Sequence, residues 1–359
     1  MVNVDERINV FRKVDFEEDE DAMIYKNVEL FNVEECQEWD KGAMLCRFPC
    51  DATKDTKDRA SWMAYAAMGC EVRFVCEAEG FWITLGAVAQ NVDVYVMRGD
   101  YTVGKFTIPA AGRKTIQYEV KKLFQGYDKT LMEQFDERFH HDVWRFYFHS
   151  EGACVFFGCN ALNGIVRPPK PCEVPKKTML AYGSSITHWC WAMDSRNSYI
   201  QQVARRLNMD VLNKGMAGAC RMEDSIMEYL LSMRNWDVAF LELGANVVYS
   251  YSVEEFRSRV EFLVSQICKN CPDKKVFLTG FYYGLADRLD AVEKVSEFTK
   301  ILSEIKSRYM LSNLIYLDGK SIMDSGSYLS YDLCHPSDYG HIRMGENLTM
   351  VIKKMYAID

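Results

Sequence analysis

The sequence lacks long hydrophobic runs and any concentration of basic residues. No segment approaches the roughly 18 uninterrupted apolar residues that a membrane-spanning helix needs. The formal net charge is −8, and the lysines and arginines form no stripe, which gives little support to nucleic-acid binding. We therefore predict a protein that neither spans a membrane nor binds nucleic acid.

Histidine is scarce, with six residues, whereas cysteine is plentiful, with thirteen. The cysteine count is odd, and several cysteines lie within apolar, strand-like runs, as is typical of buried thiols rather than of a disulfide scaffold. The N-terminus also lacks the basic-then-apolar layout of a secretory signal. These features together predict a cytoplasmic location. Cys268 and Cys271 have a metal-like spacing but no second pair, so we expect no metal there.

Proline is uncommon, and half of the eight prolines lie between residues 168 and 175. Proline cannot continue a helix or donate to a sheet ladder, so this stretch predicts a stiff linker. We expect an N-terminal domain at 1–165, a proline-rich linker at 166–175 and a C-terminal domain at 176–359. A chain of 359 residues, 48% of them hydrophobic, is long enough to give both domains a core.

The two sides of the linker differ in their sequence pattern. From about residue 43 to residue 164, short β-branched and aromatic runs are separated by turn signals, which predicts a β-sandwich of the jelly-roll kind. The acidic run at 17–21 indicates a solvated loop. After the linker, strand-like and helix-like stretches alternate, which predicts βαβ units and a mostly parallel sheet.

The alternating pattern after the linker predicts five strands and five helices. The expected strands are 178–182, 210–213, 237–243, 275–279 and 314–318. The expected helices are 196–207, 221–234, 253–269, 287–308 and 338–356.

Polar residues that could cleave an ester follow several of these strands. Attack by a serine needs a base, a group that orients the base, and donors for the developing oxyanion. Ser185 can be the nucleophile, His335 the base and Asp332 the orienting group. The N–H groups of Ser185 and Gly218 and the side chain of Asn246 can be the oxyanion donors. Each residue alone has a plainer interpretation, such as a helix cap for Asn246 or a turn glycine for Gly218.

Four ordered motifs resemble the sequence blocks of the SGNH (GDSL-like) hydrolases, over the half of the chain that starts at residue 176. They are Gly-x-Ser at 183–185, Asn-x-Gly-x-x-Gly at 213–218, Gly-x-Asn at 244–246 and Asp-x-x-His at 332–335. The resemblance implies a three-layer α/β/α fold and the same roles for Ser185, Gly218, Asn246, Asp332 and His335. It implies a reaction without a metal or an organic cofactor.

Two positions depart from the commonest family pattern. Ser184 and Val247 stand where many members have aspartate, and both changes affect the surroundings of the site rather than a catalytic group. The Gly-x-Ser-x-Gly elbow of α/β-hydrolases is absent, which argues against that other fold of serine hydrolases.

A β-sandwich before an SGNH domain looks like the arrangement of some carbohydrate acetylesterases. The resemblance implies removal of acetyl or other short acyl groups from a small-molecule or oligosaccharide ester. We expect His188, Trp189, Tyr249 and Tyr282 to line the substrate site, because all four lie near the ends of strands or early in the following segments. An acyltransferase with the same triad and a non-catalytic carbohydrate-binding protein are the alternatives. Whether the chain forms a homo-oligomer is left open.

Overall fold

The computed structural model describes residues 17–19, 22–120, 133–134, 138–284 and 291–356. The chain divides into two compact units, one of Met1–Cys50 with Ala64–Lys176 and the other of Asp51–Met63 with Lys177–Asp359. The changeover at Lys176 lies beside the predicted linker. The grouping of Asp51–Met63 with the second unit departs from the predicted N-terminal domain 1–165.

The reason for this departure lies in hydrogen bonds that span nearly half of the chain. The Ser225 hydroxyl donates to the carbonyl of Ala52 at 2.7 Å, across 173 residues. Arg59 Nε donates to the carbonyl of Ala217 at 2.9 Å, across 158 residues. No local sequence pattern predicts hydrogen bonds between residues that lie so far apart in the chain.

Antiparallel strands in two sheets make up the first unit. One sheet has the order β1-β2-β3-β6-β11-β8-β9, with β13 also paired to β6, and the other has the order β10-β7-β12-β5-β4. The strands are β1 (Glu17–Asp19), β2 (Ala22–Tyr25), β3 (Val28–Phe31), β4 (Glu35–Trp39), β5 (Gly42–Cys46), β6 (Glu71–Glu77), β7 (Gly80–Ala87), β8 (Val92–Arg98), β9 (Tyr101–Ile108), β10 (Arg113–Glu119), β11 (Val143–His149), β12 (Cys154–Leu162) and β13 (Ile165–Arg167).

Side chains from both sheets form a common core in this unit. The rings of Phe74 in β6 and Phe81 in β7 meet edge to face at 4.9 Å, and Phe146 and Phe156 belong to the same buried cluster. The inner strands β5, β6 and β11 are buried along nearly their whole length, so side chains on both of their faces are covered, and those on one face belong to this core. The acidic run at 17–21, expected to be a loop, instead contributes β1, which pairs with β2.

The second unit is organised around a parallel sheet with the order β15-β14-β16-β17-β18. Its strands are β14 (Thr178–Tyr182), β15 (Asp210–Asn213), β16 (Val238–Glu242), β17 (Lys275–Thr279) and β18 (Leu314–Tyr316). The helices, numbered along the whole chain, are α1 (Asp58–Tyr65), α2 (Ser185–His188), α3 (Tyr199–Arg206), α4 (Asp224–Ser232), α5 (Val253–Asn270), α6 (Val292–Tyr309), α7 (Gly319–Ile322) and α8 (Asp338–Tyr356).

Helices cover both faces of this sheet. The helices α3 and α8 pack together, while α5 packs between α4 and α6. The central strand β16 is buried along its whole length, as a strand covered on both faces must be. The predicted three-layer α/β/α fold with a mostly parallel sheet is confirmed. None of the helices that the described residues form has both the length and the hydropathy needed to cross a membrane.

Candidate active site

Ser185 is the first residue of the short helix α2, directly after strand β14. Ser184 caps this helix, because its hydroxyl accepts a hydrogen bond from the N–H of Ile186 at 3.2 Å. The carbonyl of Gly183 accepts a bond from the N–H of Met216 at 2.9 Å, which ties the turn to the loop after β15. The serine hydroxyl is therefore held on a short, well-anchored turn at the carboxyl edge of the sheet.

The structure brings Ser185, His335 and Asp332 into one chain of hydrogen bonds. The Oγ atom of Ser185 lies 2.7 Å from Nε2 of His335. The other ring nitrogen of His335, Nδ1, lies 2.7 Å from Oδ2 of Asp332. All three side chains are partly accessible to solvent. This arrangement can take a proton from the serine hydroxyl and stabilise the resulting imidazolium.

The loop before α8 fixes the charge and orientation of Asp332. Oδ1 of Asp332 accepts hydrogen bonds from the Ser330 hydroxyl at 2.6 Å and from the N–H groups of Cys334 and His335, both at 3.0 Å. Burial acts to raise the pKa of Asp332, but the hydrogen bonds from Ser330, His335 and Cys334 hold that pKa well below its usual value. The carboxylate is consequently ionised over the whole working pH range.

Three donors at the ends of neighbouring strands lack an internal acceptor within the described part of the chain. They are the N–H of Ser185, the N–H of Gly218 and the side-chain nitrogen of Asn246. The side-chain oxygen of Asn246 accepts a bond from the N–H of Cys220 at 3.0 Å, which fixes the amide plane. Gly218 has a φ of +71°, a conformation that favours glycine. These donors can serve an oxyanion.

A buried glutamate that was not predicted from the sequence contacts the turn that carries the nucleophile. Glu242 ends the strand β16 and is fully buried. Its Oε2 atom accepts hydrogen bonds from the N–H of Ser184 at 2.7 Å and from the Thr187 hydroxyl at 3.1 Å. The sequence offered no signal for this contact, because a glutamate at the end of an apolar run ordinarily marks the solvent edge of a strand.

The sequence from residue 176 to residue 353 matches the model of the GDSL-like Lipase/Acylhydrolase family. The C-terminal part of the chain belongs to this family. The predicted resemblance to SGNH (GDSL-like) hydrolases is thereby confirmed.

Several solved structures resemble most of the chain. The salicylyl-acyltransferase SsfX3 from a tetracycline biosynthetic pathway has a TM-score of 0.75 at 14% identity, over 97% of this chain and 100% of that one. A family two carbohydrate esterase from Clostridium thermocellum, in complex with cellohexaose, has a TM-score of 0.58 at 17% identity, over 82% of this chain and 95% of that one.

The acetyl xylan esterase Est2A from the rumen bacterium Butyrivibrio proteoclasticus has a TM-score of 0.57 at 11% identity, over 98% of this chain and 100% of that one. At these identities the likeness shows a shared fold. No curated protein matches the chain in sequence.

The four residues expected to line the substrate site of the GDSL-like domain differ in exposure. Tyr249 is 65% exposed, and Trp189 is half-buried at the end of α2. His188 and Tyr282 are buried, and the hydroxyl of Tyr282 donates to that of Tyr199 at 3.3 Å. The role of all four residues in substrate binding stays a prediction.

Two exposed aromatic side chains belong to the loops that carry the candidate triad. Trp191 follows α2, and Tyr331 immediately precedes Asp332 in sequence; the two rings meet edge to face at 4.8 Å. Trp191 is 42% exposed and Tyr331 is 83% exposed. Their packing against each other joins the loop after the nucleophile to the loop of the acid and base.

Arg59 is a second residue that sequence reasoning missed. It belongs to the Asp51–Met63 segment, and its Nε atom lies 3.7 Å from the position that a Cβ of Gly218 would occupy. Together with its bond to the carbonyl of Ala217, this places a cation beside the loop of the candidate oxyanion donor. Arg59 could not be predicted from the sequence, because it lies far from the family motifs.

A cluster of possible metal ligands, His140, His141 and Asp142, lies in the β-rich unit. The His140 ring accepts a hydrogen bond at Nδ1 from the N–H of Asp142 at 3.2 Å, and the Asp142 carboxylate pairs with Arg98 at 2.9 Å. The two histidine rings stack on each other at 4.3 Å. Several of the ligand atoms are thus already engaged, and an adjacent arginine disfavours a cation.

Proposed function

We propose that this protein is a serine esterase that removes acetyl or other short acyl groups from a carbohydrate. The observation that carries the proposal is the chain of two 2.7 Å contacts from Ser185 through His335 to Asp332. A serine, a histidine and an ionised aspartate at these distances form the arrangement that activates a serine hydroxyl.

The reaction proceeds in two halves. The Ser185 oxygen bonds to the acyl carbon while its proton passes to His335, and the carbonyl oxygen becomes an oxyanion. The N–H groups of Ser185 and Gly218 and the amide of Asn246 donate to that oxyanion. Collapse expels the alcohol, which takes the proton from His335. A water molecule, activated by the same histidine, then hydrolyses the acyl-serine.

Exposed aromatic residues support a carbohydrate as the alcohol part. Aromatic faces stack well on the apolar faces of sugar rings, and Trp191, Tyr331 and Tyr249 offer such faces on loops of the GDSL-like domain. The likeness to a carbohydrate esterase and to an acetyl xylan esterase points the same way.

The test is hydrolysis of 4-nitrophenyl acetate, butyrate and octanoate and of acetylated xylo-oligosaccharides. Wild type is compared with Ser185→Ala, and Ser258→Ala, an exposed serine on α5, is the matched control. We expect Ser185→Ala to abolish turnover while the control retains it. Release confined to acetate and the sugar esters would support a deacetylase. Ester cleavage that survives in Ser185→Ala would refute the mechanism.

An acyltransferase with the same triad is the second candidate. It is favoured by the likeness to a salicylyl-acyltransferase over 97% of this chain, at a higher TM-score than either esterase has. In a transferase, an acceptor hydroxyl replaces water in the second half-reaction. Adding alcohol or sugar acceptors and measuring how the acyl group partitions between water and acceptor distinguishes the two.

A further inference from the structure

Glu242 is a fully buried carboxyl group whose hydrogen-bond partners are all neutral. Burial of such a group is costly unless hydrogen bonds or a counter-charge compensate. Its Oε2 atom accepts two hydrogen bonds, whereas Oε1 has no partner among the described residues. The hydrogen bonds from Ser184 and Thr187 favour the ionised form, but the burial of a carboxylate that has one oxygen without a partner outweighs them, and the protonated acid is favoured.

The partners of Glu242 belong to the turn that carries the nucleophile. Its Oε2 atom bonds the N–H of Ser184, the residue before Ser185, and the hydroxyl of Thr187, two residues after it. A Cβ on Gly183 would lie 2.7 Å from Oε2, so the glycine leaves the space that this contact requires. Glu242 therefore holds the turn on both sides of the nucleophile.

Further hydroxyl groups extend this network in one direction. The Tyr282 hydroxyl donates to that of Tyr199 at 3.3 Å, and the Tyr199 hydroxyl lies 2.6 Å from that of Thr187. Because the Thr187 hydroxyl donates its hydrogen bond to Glu242, the Tyr199 hydroxyl is the donor in its bond to Thr187. Every hydroxyl in this network thus donates its hydrogen bond in the direction of the carboxyl group. These bonds fix the position of Glu242 within the domain.

We propose that Glu242 is a positioning residue for the nucleophile. As a neutral acid it fixes the turn that presents the hydroxyl and the N–H of Ser185. When it ionises, its negative charge lies one residue away from an N–H that must stabilise a developing oxyanion, and the reaction slows. The inference rests on the function proposed above.

The ionisable groups around Glu242 leave it as the group that titrates near neutrality in this network. Burial raises the pKa of Glu242 to about 7. Tyr199 from α3, Tyr282 after β17, Cys220 after β15 and Cys334 from the loop before α8 interact electrostatically with it. Burial raises the pKa of each of these four groups above its usual value, so they stay neutral in this range.

The test measures how fast a fluorophosphonate labels Ser185, because labelling needs a reactive serine and no knowledge of the natural ester. The Ser185 oxygen bonds to phosphorus, fluoride leaves, and the serine proton passes to His335. Wild type, Glu242→Gln, Glu242→Ala and Ser185→Ala are compared between pH 5.5 and pH 9. Glu297→Gln, at an exposed position on α6, is the matched control.

We expect the wild-type labelling rate to fall about tenfold between pH 7 and pH 9. Glu242→Gln should label as fast at pH 9 as it does at pH 7. Glu242→Ala should label roughly 100-fold more slowly at every pH, because the turn then loses its two bonds to Oε2. The control should follow wild type.

Identical pH profiles for wild type and Glu242→Gln would overturn the proposal. An unimpaired Glu242→Ala would overturn it as well, and if that variant does not fold, Glu242→Gln decides alone. Labelling that misses Ser185 in wild type would refute the esterase mechanism and, with it, this inference.

Discussion

The β-rich unit and the GDSL-like unit each bury a glutamate, and the two carboxyl groups have opposite surroundings. Glu71 in β6 accepts hydrogen bonds from Nε of Arg145 at 2.7 Å and from Nε of Arg73 at 2.8 Å. The guanidinium of Arg145 also stacks on the ring of Phe139 at 3.7 Å. Glu242 instead accepts bonds from the backbone N–H of Ser184 and from the hydroxyl of Thr187.

The different partners give the two groups different charges. Burial alone would raise the pKa of both, but Arg145 and Arg73 hold the pKa of Glu71 far below its usual value. The pKa of Glu242 is raised to about 7. Glu71 is thus a permanent charge that joins β6 to β11, while Glu242 can gain or lose a proton near neutrality. A fixed charge suits a structural role, and a variable charge suits a site of chemistry.

The largest effect is expected from breaking the ionic cluster of the β-rich unit. Glu71→Ala leaves the buried guanidinium groups of Arg73 and Arg145 without their carboxylate, which should cost about 3–5 kcal/mol of unfolding free energy. Unfolding with the denaturant guanidinium chloride measures this loss of free energy. Glu79→Ala, at an exposed turn position, should change stability by less than about 0.5 kcal/mol. A loss below about 1 kcal/mol in Glu71→Ala would contradict a structural role for the cluster.

Asn246→Ala should slow catalysis in the GDSL-like unit without unfolding it. Removing a donor to the oxyanion lowers kcat by roughly 10²–10³-fold, with little change in KM. Steady-state kinetics with 4-nitrophenyl acetate measures this, and thermal unfolding checks that the fold persists. If kcat is unchanged, Asn246 acts only through its bond to the N–H of Cys220.

Glu242→Gln should change how stability depends on pH. The pKa of Glu242 rises from 4.5 in the unfolded chain to about 7 in the folded protein. Its contribution to stability is complete below the unfolded pKa and is lost as the pH rises towards 7. The unfolding free energy of Glu242→Gln relative to wild type should therefore increase by about 2–3 kcal/mol between pH 5 and pH 8.

Glu71 should show the opposite dependence, because its pKa is lowered on folding. Its contribution is present above the unfolded pKa and is lost as the pH falls. Chemical unfolding of both variants at several pH values measures the two trends. A constant difference between Glu242→Gln and wild type would remove the contrast between the two carboxyl groups.

The smallest effect is expected from Arg59, an exposed counterpart to the buried arginines around Glu71. Arg59→Ala removes the bond to the carbonyl of Ala217, and kcat/KM for 4-nitrophenyl acetate should fall about threefold to tenfold. Lys54→Ala, exposed on the same segment, should have no effect. An equal loss in both variants would mean that the segment acts through its charge in general rather than through this contact.

The candidate site could be anticipated as far as it follows from strand order and short spacing. Ser185, Gly218 and Asn246 follow β14, β15 and β16, which are neighbours in the sheet, and the carboxyl ends of parallel strands meet at one edge. Asp332 and His335 are three residues apart in one loop, so their contact is local. The alternating pattern of strands and helices in the GDSL-like domain could be predicted for the same reason.

The rest depends on packing between residues that are distant in the chain. The burial of Glu242 follows from the strands and helices around β16, not from its own sequence, which reads as the end of an apolar run. The burial of His188 and Tyr282 depends in the same way on the residues that pack around them. Strand β1 consists of three acidic residues, and β2, β3 and β4 are only four or five residues long, so none of them stands out from a loop in the sequence.

A ribosome releases the segment Asp51–Met63 long before the residues that it bonds. Arg59 precedes Ala217 by 158 residues, and Ala52 precedes Ser225 by 173, a delay of roughly ten to thirty seconds at about 5–20 residues per second. Contacts across such long loops also form late, because the entropy of loop closure comes before any gain. This segment of the nascent chain must therefore wait for the second half before it can form its bonds, although it is made among the residues of the first unit.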